Sequence, residues 1–107
     1  MTLANWNIEE LTGYKPMTTF YTDLSIADKF GIDAIKDTYK RVKDAWGKDY
    51  KYFTEFVMAL NWKMWEHNDK GNYEYSKAYQ DLWEDAENYV YDNFTEDELS
   101  YYYKTTD

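Results

Sequence analysis

The sequence predicts an all-α, single-domain bundle of three to four main helices with short helices at both ends. Apolar residues recur at steps of three and four through most of the 107 residues. The single proline, Pro16, interrupts none of those segments, and glycine, aspartate, asparagine or threonine stands at each junction between them. No clear alternation of apolar and polar residues marks a strand. A chain of this length forms one domain that buries about two thirds of its unfolded surface.

Taken in order, Asn5 or Asn7 is placed to cap a short helix stopped at Gly13. Pro16 then restricts Lys15 to extended geometry, so 14–18 reads as a connector. Over about 19–30, Phe20, Leu24 and Ala27 share one face, and Gly31 supplies a left-handed stop. Asp33 is placed to cap a helix over 34–46 with the stripe Ile35, Tyr39, Val42 and Trp46, ended by Gly47. Asp49 is placed to cap the next helix, about 50–67, with Phe53, Phe56, Val57, Leu60 and Met64 on one face. Met58, Trp62 and Trp65 form a second apolar stripe, which places this helix in the middle of the bundle. Lys63 falls with Glu55 and Glu66 on a narrow polar wedge expected to face water. Asn72 is placed to cap the longest helix, 73–94, which turns Tyr75, Ala78, Tyr79, Leu82, Trp83, Ala86, Tyr89 and Val90 inward. Thr95 and Glu98 satisfy the capping-box pattern and open a last short helix to about residue 103.

Composition narrows the function classes. The chain has no cysteine, which excludes a disulfide scaffold, thiolate zinc sites, iron–sulfur clusters and thiol catalysis. One histidine, His67, allows no His–His metal pair, and the stretch around it fails as a calcium loop because Lys70 and Lys77 fall where ligands are needed. It reads as a polar inter-helix turn, and no metal or cofactor is expected. No serine elbow, phosphate-cradling glycine loop or contrasting pair of carboxylates appears, so the chain is expected to have no catalytic residues. The longest apolar run, 56–60, is far short of the ~20 residues of a membrane span. The first residues lack a basic start and an apolar run, so a cytoplasmic location is expected. Mean hydropathy is -0.92 and net charge is -9, but 23 aromatic residues argue for a packed core over disorder.

Charge is unevenly placed. Residues 1–65 balance, whereas 66–107 carry twelve acids against Lys70, Lys77 and Lys104. Glu74, Asp81, Glu84, Asp85, Glu87 and Asp92 on the longest helix form a candidate acidic face, able to imitate a phosphate backbone before a basic partner. Glu74, Asp81, Asp85 and Asp92, spaced by seven, four and seven, are expected along one side. Trp62, Tyr101 and Tyr103 are candidate aromatic contacts, because aromatic residues dominate interface energetics and 101–103 cannot all point inward. The alternative is a helix-turn-helix reader. Ala27, Gly31 and the apolar Ile26, Phe30 and Ile32 match its first helix and turn, and Lys36, Lys40, Arg41 and Lys43 would contact phosphate. That pattern breaks where Asp37 and Lys40 replace apolar residues, and the net charge disfavours direct nucleic-acid binding.

The segments 11–14 (Leu-Thr-Gly-Tyr), 18–20 (Thr-Thr-Phe), 23–28 (Asp-Leu-Ser-Ile-Ala-Asp), 34–38 (Ala-Ile-Lys-Asp-Thr), 50–52 (Tyr-Lys-Tyr) and the closing 99–107 are similar to a family of small proteins of prophages and integrative mobile elements in gut bacteria. The family has no defined activity, so the resemblance carries over no functional residue. It implies an accessory factor, in a setting where inhibitors of host defence nucleases are common. The expected function is therefore a non-catalytic, acidic protein-interaction module, in its sharpest form a DNA mimic that inhibits a nucleic-acid-binding enzyme, with a basic-surfaced protein as partner and no membrane.

Overall fold

A computed structural model describes residues 16–106, with side chains from 19 onward; the expected helix before Gly13 lies outside these residues. The described chain is all-α: α1 (Pro16–Asp28), α2 (Ile32–Trp46), α3 (Tyr50–Asp69), α4 (Tyr73–Asn93) and α5 (Glu96–Thr106). No helix among the described residues is long and apolar enough to cross a membrane.

Helix α1 starts at Pro16 rather than at residue 19, because proline's fixed φ suits a first turn and its missing N–H is not needed there. It ends at Asp28, and Lys29 and Phe30 form a turn closed by Phe30 N–H on the Ala27 carbonyl at 2.9 Å. Gly31 has φ 113°, the left-handed region that stops the helix. Asp33 does not cap α2: the helix begins two residues earlier than expected, at Ile32 with Gly31 as its N-cap, and places Asp33 in the first turn, where the macrodipole favours a carboxylate. Gly47 is small for a different reason from Gly31. A Cβ there would lie 2.9 Å from the Tyr89 hydroxyl and 2.5 Å from the Lys43 carbonyl, so α4 closes directly onto the α2–α3 corner.

Asp49 caps α3 as the sequence predicts, accepting from the N–H groups of Lys51 and Tyr52 at 3.2 Å. Asn72 precedes α4 but makes no side-chain cap; its amide lies 3.3 Å from His67 Nδ1 instead. Thr95 and Glu98 form the reciprocal capping box, with bonds of 2.9 and 3.3 Å.

Helix α3 is central and touches each of the other four. Phe56, fully buried, is its hub. Its ring meets Phe20 of α1 edge-on at 5.2 Å, Tyr39 of α2 stacked at 5.7 Å, and Phe53 at 5.9 Å. Phe53 continues the cluster to Tyr89 and Phe94, and Tyr50 carries it to Tyr101 of α5. The inward face expected of α4 is graded: Ala78, Tyr79, Ala86 and Val90 are buried, whereas Tyr75, Leu82, Trp83 and Tyr89 are half-buried.

Phe56→Ala is expected to lower unfolding free energy by about 3–5 kcal/mol, since it leaves a cavity where three helices meet. Asp49→Ala is expected to cost about 1 kcal/mol, the worth of a cap. Urea titrations of the two variants read this order directly.

Candidate interaction surface and the charge network that orients it

The polar wedge expected on α3 is the first correction. Lys63 is 1 % exposed, not solvent-facing. Its Nζ donates to Asp28 Oδ2 of α1 at 2.7 Å, to Glu66 Oε2 at 2.9 Å and to Ser25 Oγ at 3.1 Å, and lies 4.9 Å from the centre of the Tyr21 ring. A buried ammonium requires such partners, because a lone charge taken out of water is prohibitively costly. Burial opposes the charge on Lys63, but the bonds to Asp28 and Glu66 outweigh it and hold the ammonium above its usual range. Burial would likewise raise Glu66; hydrogen bonds from Tyr21 and Lys63 prevail and bring its carboxyl down to about 2.

His67 is the second correction. It lies within α3, is buried, and is not part of a polar turn. Its Nε2 is 3.0 Å from Asp28 Oδ2, and its ring stacks on Tyr79 of α4 at 5.5 Å. Tyr79 donates to Asp28 Oδ1 at 2.5 Å. Asp28, Glu66 and His67 offer metal-ligating atoms within 4.8 Å of one another. The Lys63 ammonium already bonds both carboxylates, so the cation of this cluster is the protein's own side chain. A shallow depression of about 560 Å³ lies beside it, lined by Asp28, His67 and the α3–α4 turn.

The second apolar stripe of α3 is only partly covered by the other described helices. Trp62 is 58 % and Trp65 55 % exposed, while Met58 is half-buried. Two depressions flank them, and both use Trp83 of α4 as a wall. One, about 170 Å³, is bounded by Met58, Trp62, Glu87 and Tyr102; the other, about 210 Å³, by Trp65, Asn68, Ser76 and Gln80. Ser76 donates to the Met64 carbonyl at 2.9 Å and holds α4 against α3 beneath them.

The acidic candidates divide among several sides of α4. Glu74, Asp81, Asp85 and Asp92 are exposed and fall on one line; Glu84 is also exposed but lies about 80° round the helix, and Glu87 about 140° round. Asp85 accepts from Tyr39 of α2 and pairs with Lys43 at 3.0 Å. The Tyr39 bond, followed by Lys43, holds its carboxyl below the usual range. Asp81 pairs with Lys77 at 2.5 Å, and Glu87 accepts from Tyr102.

Of the aromatic candidates, Trp62 and Tyr103 are exposed, but Tyr101 is half-buried, edge-on to Tyr50 at 5.2 Å. Trp65 belongs beside Trp62 on this face. Its place three residues further along the same stripe was the signal for including it. The basic candidates of α2 do not share a side. Lys36, Lys40 and Lys43 lie on one flank and Arg41 on the other, with exposed Asp33, Asp37 and Asp44 between them, and Lys43 turns to Asp85. Compared with protein-family models, curated proteins and solved structures, the chain matches none.

Folded-state pKa values below the unfolded ones, at Glu66 and Asp85, give stability that is complete above about pH 4.5 and lost as pH falls toward about 2. Burial and bonds to Asp85, Asp28 and Glu87 push the phenols of Tyr39, Tyr79 and Tyr102 upward, and their stabilisation is lost as pH rises above about 10. Melting temperature against pH should show a plateau between these limits with a decline on each side; a flat acid limb would refute the assignment to Glu66. Lys63→Met, which leaves two carboxylates without their cation, is expected to destabilise by about 3–5 kcal/mol in denaturant titrations at neutral pH.

Proposed function

We propose that this protein is a non-catalytic interaction module whose α3–α4 face docks a basic-surfaced protein. The observation that carries this reading is the pair of half-exposed indoles, Trp62 and Trp65, standing over two depressions with Trp83 between them. Tryptophan is enriched among interface hot spots, and neither exposed indole is among the described side chains packed against the buried core. The depressions are smaller than the roughly 300–1,000 Å³ of small-molecule pockets, which favours side chains of a protein as their occupants. Net charge of -9 supports a basic partner, whose association would be electrostatically steered.

A second reading, mimicry of DNA by the line Glu74, Asp81, Asp85 and Asp92, is favoured by their shared side of α4. Here the partner would be a nucleic-acid-binding enzyme, in keeping with the mobile-element resemblance. Two members of that line are held by Lys77 and Lys43, which leaves fewer open carboxylates for a phosphate site. The two readings differ in which residues matter.

Wild-type protein, a Trp62→Ala/Trp65→Ala variant and a Glu74→Gln/Asp92→Asn variant are to be used as baits at equal concentration, with bound proteins quantified by mass spectrometry. The tryptophan variant should lose the retained partner, with each indole worth about 2 kcal/mol of binding and each change costing under about 0.5 kcal/mol of fold stability. Loss through the acidic variant alone would assign the function to the α4 line; identical retention by all three would remove both readings.

A further inference from the structure

The exposed stripe has a spacing that specifies the shape of what covers it. Met58, Trp62 and Trp65 stand at i, i+4 and i+7 of α3, the seam along which a second helix packs. On α4, Gln80, Trp83 and Glu87 at i, i+3 and i+7 form the facing side. The stretch from Met58 to Asn68 is about 15 Å long at 1.5 Å per residue, enough for some three turns of a helix. The linings of the two depressions are offset by about six residues along α3 and about five along α4, roughly 8–9 Å, which lies within the span of side chains four to seven residues apart on one face of a helix.

Charge around the groove selects the sign of that helix. Glu87 forms part of its wall, Glu84 stands exposed beside it and Asp69 is exposed at its far end. The bases nearby are committed, peripheral or turned aside: Lys77 pairs with Asp81, Lys70 with Glu66, Lys51 lies over the Tyr50 ring at the opposite end of α3, and the exposed Lys104 lies about 160° round α5 from Tyr102 and Thr106, which line the first depression.

We propose that the α3–α4 face receives a basic amphipathic helix of a partner protein, which inserts two large apolar side chains from one of its faces, four to seven residues apart, on either side of Trp83 and sets lysines or arginines against Glu84, Glu87 and Asp69. This rests on the reading of that face as an interaction surface and adds the partner's shape and charge.

The test uses the full chain and a synthetic peptide of about fifteen residues with leucines at i, i+3 and i+7 and lysines on the opposite and flanking positions, beside a scrambled peptide of identical composition. Binding is followed by tryptophan fluorescence and calorimetry, and helix gain by circular dichroism. The patterned peptide should bind with a gain of helix, about tenfold or more tighter than the scrambled one, and Trp62→Ala/Trp65→Ala should abolish that difference. Glu84→Lys, a change at an exposed site, should weaken binding several-fold and flatten its dependence on salt between about 50 and 200 mM. Circular dichroism of each variant alone checks that the bundle is intact. Equal affinity for both peptides, undiminished binding by the tryptophan variant, or no binding would each overturn the proposal, as would concentration-dependent self-association that the tryptophan changes abolish. If the bait experiment shows tryptophan-dependent capture while the patterned peptide fails, the surface stands and its helical occupant falls; if both fail, both readings fall.

Discussion

A lysine ammonium inside a helical bundle has to be met by counter-charge and hydrogen-bond acceptors, and Lys63 meets Asp28 and Glu66 within 3 Å. That requirement fixes the rotation of α3 about its own axis. With Lys63 turned toward α1, residues about 100° and 160° round the helix, Trp62 and Trp65, are carried away from the core. The network and the indole face are thus two sides of one constraint. Asp28 extends the constraint to α4, because its other oxygen accepts from Tyr79, whose ring stacks on His67.

Phenols do much of what lysines do in less acidic bundles. Tyr21 donates to Glu66 between α1 and α3, Tyr39 to Asp85 between α2 and α4, Tyr79 to Asp28 between α4 and α1, and Tyr102 to Glu87 between α5 and α4. Each bond joins two helices. Tyrosine suits the task because its ring packs in the apolar layer while its hydroxyl reaches the edge. In a chain with 21 acids and 12 bases these phenols add a second donor to carboxylates that lysines also hold, at Asp28, Glu66 and Asp85, and Glu87 accepts from Tyr102.

Most helix boundaries were legible because they depend on neighbours in the chain. The Asp49 cap and the Thr95–Glu98 box need only residues two or three positions away, and both are present. Asp33 and Asn72 show the limit of that reasoning: each has a capping side chain at the right junction, but α2 starts two residues early and Asn72 turns to His67. The buried network depended on Asp28, which is 35 residues from Lys63 in the chain, so no local pattern pairs them. A helical-wheel signal did exist, since Lys63 and His67 each stand seven residues after a buried residue, Phe56 and Leu60. Lysine's polarity masked it. The stripe of Met58, Trp62 and Trp65 was read as apolar from sequence, but apolarity alone does not say whether the cover comes from the same chain.

A phenol that donates to a carboxylate satisfies it without discharging it. Every acid held by a tyrosine therefore keeps its negative charge, and the folded molecule carries its formal net charge of -9 into the surrounding electrolyte, out to the ~8–10 Å over which ions let it reach. A cationic body near the molecule enters that field before any contact forms. Shape is met only at van der Waals distance, where Trp62 and Trp65 stand proud of the surface. In the docking proposed above, that field would speed the encounter, while the indoles and the carboxylates around the groove would together decide what fits.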